Sequence, residues 1–300
     1  MSGIQIRLLE SVDDFHRAEA LQRAVWPGSE LDVVPLHVLT TVAHNGGLVL
    51  GAFDGERLVG FAWGFLATDD ADPDRPALAR LKYCSHMMGV HPDYRDAGIG
   101  HRLKLAQREH VMGQGVRLIT WTYDPLESRN ANLNIARLRA ICRRYLREIY
   151  GLMQDGLNAG LPSDRFQVEW WITSQRVKLG LAEEPARRPL TLDSITAAGA
   201  TIVNPCRFAD DGLPRLPARF ADPGVGLALV EVPADFQTTK LANRPLAQEW
   251  RLRTREVFEG LFRRGYYVID FLHQRGGPEG PARSHYLLSS AEGRIGVNEG

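Results

Sequence analysis

The chain has 300 residues, 44% of them hydrophobic and 24% charged, and its 36 basic residues balance 36 acidic ones. That balance removes the electrostatic case for a dedicated nucleic-acid binder, and no apolar run approaches the ~20 residues of a membrane helix. Cys84, Cys142 and Cys206 stand far apart, with no paired spacing for a zinc site or a disulfide framework, so no metal is expected and free buried thiols are the plain reading.

In chain order, Gln5 to Leu9 reads as an opening strand with no signal-peptide apolar block before it, which points to the cytoplasm. A helical pattern carrying Phe15, Ala18, Leu21 and Val25 runs to the break at Trp26-Pro27-Gly28, and a second short helix is expected over Pro35 to Ala43. Gly47 to Phe53 and Arg57 to Phe65 flank Asp54-Gly55, a hairpin signal. After a proline-bearing loop from Asp69 to Pro76, Tyr83 to Val90 reads as an interior strand closed by Pro92. Ile99, Leu103, Ala106 and His110 then share one helical face, and Gly115 to Thr122 is a further strand.

Asn134, Leu138, Ile141, Tyr145 and Ile149 recur at helical spacing, so a long helix is expected from Arg129 to Tyr150, followed by a strand over Phe166 to Thr173. Ala182 to Pro189 is charged and carries two prolines, which makes it the expected linker between domains at 1–182 and 190–300. Beyond it come strands at Thr201–Val203 and Gly226–Val232, a helix from about Pro245 to Arg264, and strands at Tyr266–Phe271 and His285–Leu288. This β-α-β-β order has no glycine loop of its own.

The strand-to-helix junction Arg95-Asp96-Ala97-Gly98-Ile99-Gly100 lies within a βαβ pattern. Its backbone N–H groups lack helical partners at a positive helix end, where an anionic group such as a phosphate can sit. No Gly-Lys-Ser/Thr is present and no third glycine follows at dinucleotide spacing, so neither a Walker A loop nor a dinucleotide fingerprint fits.

The run Val90-x-Pro92-x-x-Arg95-x-x-Gly98-x-Gly100 resembles the acyl-CoA-binding signature of the GNAT superfamily of N-acyltransferases, and the resemblance extends over roughly residues 4 to 175. It implies an α/β fold with a mixed sheet. The C-terminal half would be either an extension that completes the sheet or covers the acceptor site, or a degenerate second GNAT-like half. It further implies acetyl-CoA or another acyl-CoA as co-substrate, and transfer to the amine of a small molecule; a homodimer is compatible with it. Thr122-x-Asp124-Pro125-Leu126 and Glu231 to Phe236 are similar to a long bacterial branch. That similarity brings succinyl-CoA and amino-acid acceptors into view. The alternative is a CoA-binding regulatory or interaction module without turnover.

For individual residues, the resemblance puts the pyrophosphate on Arg95, Asp96, Ala97, Gly98, Ile99 and Gly100, and the pantetheine arm along Met88, Gly89 and Val90. His86, two residues before Met88 and so expected on its face, is a candidate base, or else a hydrogen-bonded strand histidine. Asp124 at the next strand's end is the second candidate base, or an ordinary turn residue. Tyr145 on the following helix is the candidate thiol-side acid, or a core tyrosine; Asn130 either contacts CoA or caps that helix.

Overall fold

The computed structural model describes residues 3–28, 30–69, 74–151, 160–182, 190–278 and 280–290. Its contacts form two compact units, the first holding 3–121, 160 and 171–173, the second 122–151, 161–170 and 174–290. The division therefore falls near Trp121 and not at the expected linker, of which residues 183–189 lie outside the described residues. The reason is strand pairing. The chain after 122 supplies strands that pair with the C-terminal segment.

In the first unit, β1 (Gln5–Leu8), β2 (Leu48–Asp54), β3 (Arg57–Thr68) and β4 (Leu81–Val90) are antiparallel neighbours in that order. β5 (Leu118–Tyr123) then runs parallel to β4 through Tyr83↔Ile119 and Cys84↔Thr120. Ser11 caps α1 (Val12–Val25) by accepting from the Asp14 N–H at 3.1 Å, and α2 is Leu36–His44. These two helices cover one sheet face, where Phe15, Leu21, Leu39, Val49, Phe61 and Trp63 form the core. α3 (Ile99–Gly113) covers the other face, close enough that a Cβ at Gly60 would stand 3.0 Å from Ile99 Cγ2. α3 buries Ile99, Leu103, Lys104, Gln107 and Val111. The buried stripe is thus rotated from the expected one, since Ala106 and His110 are only half-buried.

In the second unit, β6 (Ile141–Leu146) lies between β7 (Arg165–Trp171) and β12 (Tyr266–Gln274), both antiparallel to it. The order continues through β13 (Arg283–Ser290), β11 (Leu227–Val232) and the short β8 (Thr201–Ile202). The C-terminal strands thus extend the ladder begun by β6 and β7, which is the extension form of the expectation. β9 (Arg207–Phe208) and β10 (Pro214–Arg215) make a separate pair. α5 (Gln175–Leu181), α6 (Leu192–Ala197), α7 (Phe236–Ala242) and α8 (Arg244–Arg263) complete the unit.

The long helix expected from Arg129 to Tyr150 does not form. One helical turn, α4 (Ser128–Ala131), passes into a π turn over Asn132–Arg137 and ends there; β6 follows at Ile141. The break sits at Arg139, whose φ is +61°, outside the helical range, and whose guanidinium makes two 3.0 Å bonds to Asp270 on β12. A buried ion pair with β12 and strand pairing outweigh the local helical spacing.

Candidate active site

The junction between β4 and α3 is tied down from several sides. The His91 N–H donates to the Val59 carbonyl at 2.8 Å, Tyr94 Oη donates to Asp54 Oδ2 at 2.9 Å, and Arg102 donates to the Ile4 carbonyl at 2.6 Å. Within this frame Asp96 and Gly98 take φ of +66° and +74°. The left-handed region is open to glycine and tolerated by aspartate, which accounts for both residue types.

Two observations fit an anionic group here. The first intrahelical bond of α3 is Arg102 N–H to the Gly98 carbonyl at 3.1 Å, so the Ile99 and Gly100 N–H groups precede the ladder, and no side chain caps them. A Cβ built at Gly98 meets nothing within 4 Å, so the space before the turn is open. Unspent donors at the positive end of a 15-residue helix stabilise a phosphate both by hydrogen bonds and by the helix dipole. Arg95, Asp96 and Ala97 are exposed beside them, and Met88, Gly89 and Val90 lead into the turn along β4.

β4 is not regular. Its register against β3 shifts so that Ser85 pairs with Gly64 and Met87 with Trp63, leaving His86 as an extra residue in a bulge. This corrects the expected face of His86. Gly60 faces α3, so Ala62 and its partner Met88 share that side. His86 instead stacks on Trp63, ring centroids 4.5 Å apart, on the side of α1 and α2. The imidazole remains exposed, and burial of part of the ring against its neighbours lowers its pKa below the ordinary value. The shift favours the neutral imidazole, the form able to accept a proton.

On the α3 side of the same bulge lies a group that the sequence reading passed over. Lys104 Nζ donates to Ser85 Oγ at 2.7 Å and to Gln107 Oε1 at 3.2 Å, and stands 3.7 Å from the centre of the Trp121 ring. Both Lys104 and Ser85 are buried. Burial lowers the lysine to about 7. The clue was available, because Lys104 is one of four lysines in a chain that otherwise uses arginine, and Gln107 follows it on the same helix face.

Asp124 belongs to the second unit and is fully engaged. Oδ1 accepts from the Leu126 N–H at 2.9 Å, and Oδ2 accepts from Arg251 of α8 with Arg165 at 3.8 Å. Glu127 and Ser128 are held in turn by the 233–237 segment: Gln237 Nε2 donates to Glu127 at 2.5 Å, and Ser128 donates to the Pro233 carbonyl at 2.7 Å. Burial foremost, and then the Asp124 charge, raises the Glu127 pKa. Tyr145 lies on β6, not on a helix; its hydroxyl donates to Asp164 Oδ2 at 2.7 Å and its ring packs on Phe166 and Phe258. Burial pushes its pKa far up. Asn130 is exposed on α4. Of the expected residues, the first unit thus gathers the turn, Met88, Gly89, Val90 and His86, while Asp124, Asn130 and Tyr145 belong to the second.

Comparison with known proteins bears on the same segment. The model of the acetyltransferase (GNAT) family matches residues 9–134. The solved structures that are similar include Arabidopsis thaliana NAA60 in complex with acetyl-CoA, 19% identical over 57% of this chain and 100% of that one, with a TM-score of 0.45. The Escherichia coli ribosomal-protein-S18-alanine N-acetyltransferase is 13% identical over 62% of this chain and 100% of its own, with a TM-score of 0.41. The Salmonella typhimurium protein yncA, solved with its cofactor acetyl-CoA, is 14% identical over 63% of this chain and 100% of its own, with a TM-score of 0.41. No curated protein matches the chain. Residues 9–134, the segment that carries the β4–α3 turn and its bulged strand, are a domain of the acetyltransferase (GNAT) family, the acyl-CoA-dependent N-acyltransferases.

Proposed function

We propose that this chain moves an acyl group, acetyl or succinyl, from acyl-CoA to the amine of a small molecule, with a free amino acid as the acceptor class. The observation that carries the reading is the β4–α3 turn inside the family segment, with uncapped N–H groups at Ile99 and Gly100 and open space before Gly98. Arg95 to Gly100 would hold the pyrophosphate, and Met88, Gly89 and Val90 would lie along the pantetheine arm. The acyl thioester supplies an activated carbonyl for the amine.

An attacking amine must be neutral, so a nearby acceptor of its proton raises the rate. His86 suits that role by its exposure and its lowered pKa. Asp124 suits it less well, because both of its oxygens already accept hydrogen bonds; we assign it to holding the turn after β5. The balanced charge of the chain favours a small acceptor over a basic protein tail.

The test is to incubate the purified chain with acetyl-CoA or succinyl-CoA and a pool of L- and D-amino acids, and to look for N-acyl products by mass spectrometry. N-acylated amino acids with matching release of CoA thiol are expected. Products from peptide or aminoglycoside amines alone would overturn the acceptor class and leave acyl transfer standing. Tight CoA binding with no thiol release from any amine would favour a binding module.

A further inference from the structure

The bulge in β4 lies beside Ser85, which meets Lys104 of α3 at 2.7 Å. An ammonium has three protons to place. Ser85 Oγ, Gln107 Oε1 and the Trp121 ring face supply three acceptors, which offset part of the cost of burying the charged form. Ser85 then accepts through its oxygen, and its own O–H has no acceptor among the described residues. The Gln107 side-chain nitrogen is likewise buried without a partner. A buried hydroxyl polarised by an ammonium, with its hydrogen unspent, is a donor awaiting a ligand atom.

Its place fits the sulfur end of acyl-CoA. Ser85 lies five residues up β4 from Val90, roughly 16 Å at the ~3.3 Å rise of a strand. That is a reach for an extended pantetheine arm whose pyrophosphate sits at the start of α3. Ser85 and Met88 share the face covered by α3, whereas His86 is on the other. The thiol-side acid expected at Tyr145 has its proton committed to Asp164, so that role is vacant.

We propose that Ser85 is the proton donor to the departing CoA sulfur, with Lys104 as the positioning residue behind it. As the C–S bond breaks, its electron pair goes to sulfur, sulfur takes the Ser85 hydroxyl proton, and Lys104 passes a proton to Ser85 Oγ. The thiol leaves, and the neutral Lys104 regains a proton from solvent. The proton lost by the amine as the C–N bond forms leaves separately, through the acceptor on the other face. A lysine lowered to about 7 is a stronger acid than a thiol near 8.5, so the transfer runs downhill. Among the described residues the titratable group acting on Lys104 is the Cys84 thiol of β4.

The inference rests on the acyltransferase reading, and its test separates the two. Calorimetric affinities for CoA and for desulfo-CoA, which lacks the sulfur, are measured on the wild type, Ser85→Ala and Lys104→Met. The wild type is expected to bind CoA about fivefold more tightly than desulfo-CoA, the worth of one hydrogen bond, and Ser85→Ala to bind the two alike. Lys104→Met should show a reduced ratio. With an accepted amine, the wild-type kcat should fall as pH rises through about 7, and both variants should lose that limb along with about 10²-fold in rate. An unchanged ratio in folded Ser85→Ala overturns the proposal, as does a wild type that binds both ligands equally while binding CoA tightly, which leaves the acyltransferase reading intact. A wild type that binds neither overturns both.

Discussion

The β4–α3 junction and the carboxylate clusters of the second unit solve opposite problems with similar residue types. In the second unit every buried acid among the described residues is saturated, although Arg251 Nε and Nη1 are buried there without an acceptor. Asp164 accepts from Tyr145, Arg255 and the Glu148 N–H; Asp270 accepts twice from Arg139; and Glu231 accepts from Arg283 and the Cys206 N–H. At the junction, donors are left over: the helix-start N–H groups, the Ser85 hydroxyl and the Gln107 amide nitrogen. Saturated polar groups hold a fold, whereas unspent ones in a well-held frame mark where a ligand completes the hydrogen bonding.

The contrast predicts that substitutions in the two regions fail in different ways. The largest effect should come from Asp124→Ala, which leaves the buried Arg251 guanidinium without its carboxylate. A loss of about 3–5 kcal/mol in denaturant-unfolding stability is expected. Lost turnover in that variant would then report unfolding, so stability must be measured beside activity. An unchanged unfolding midpoint would mean that the Asp124–Arg251 pair contributes no net stability.

Next in size is Gly100→Glu, which sets a side chain and a negative charge at the proposed pyrophosphate position. CoA affinity should fall by about 10²-fold in calorimetric titration, with far less change in stability. Wild-type affinity in the folded variant would remove the turn from the binding site.

Lys104→Met tests the one buried charge of the junction. In the fold Lys104 titrates near 7, below its ordinary 10.5, so the unfolded chain binds the extra proton between those values. The wild type therefore carries the penalty in full below pH 7, and it is relieved as pH rises from 7 toward 10.5. The stability of the variant relative to the wild type should be greatest below pH 7 and should fall by about 5 kcal/mol as pH rises from 7 to 10.5. A difference independent of pH would show that the side chain acts through packing alone.

The smallest effect on stability belongs to His86→Ala, within about 0.5 kcal/mol for an exposed ring. Its kcat should nevertheless fall at neutral pH, with the deficit closing at high pH where the amine deprotonates itself. A deficit constant across pH would assign His86 to positioning.

The junction was legible in the sequence because its determinants are local: Pro92 ends a strand, Gly98 takes the positive φ, and apolar spacing announces α3. The hairpin around Asp54-Gly55 was legible for the same reason. What was not legible depended on distant partners. Tyr145 keeps helical spacing with Ile141 and Leu138, yet pairing of β6 with β7 and β12, and the Arg139–Asp270 pair across 131 residues, set the backbone instead. The bulge that turns His86 away from Met88 arises from registry with Trp63 and Gly64, which no pattern within β4 announces. Lys104 was passed over because two of its partners, Ser85 and Trp121, come from other elements.

The most direct test of the account is amide hydrogen–deuterium exchange of the full wild-type chain with and without saturating CoA. Protection is expected over residues 95–104, where the uncapped donors of α3 gain an acceptor, and along Met88 to Val90. Protection confined to residues 122–151 and 244–263, with none over 95–104, would show that the unspent donors at the β4–α3 junction do not bind the coenzyme.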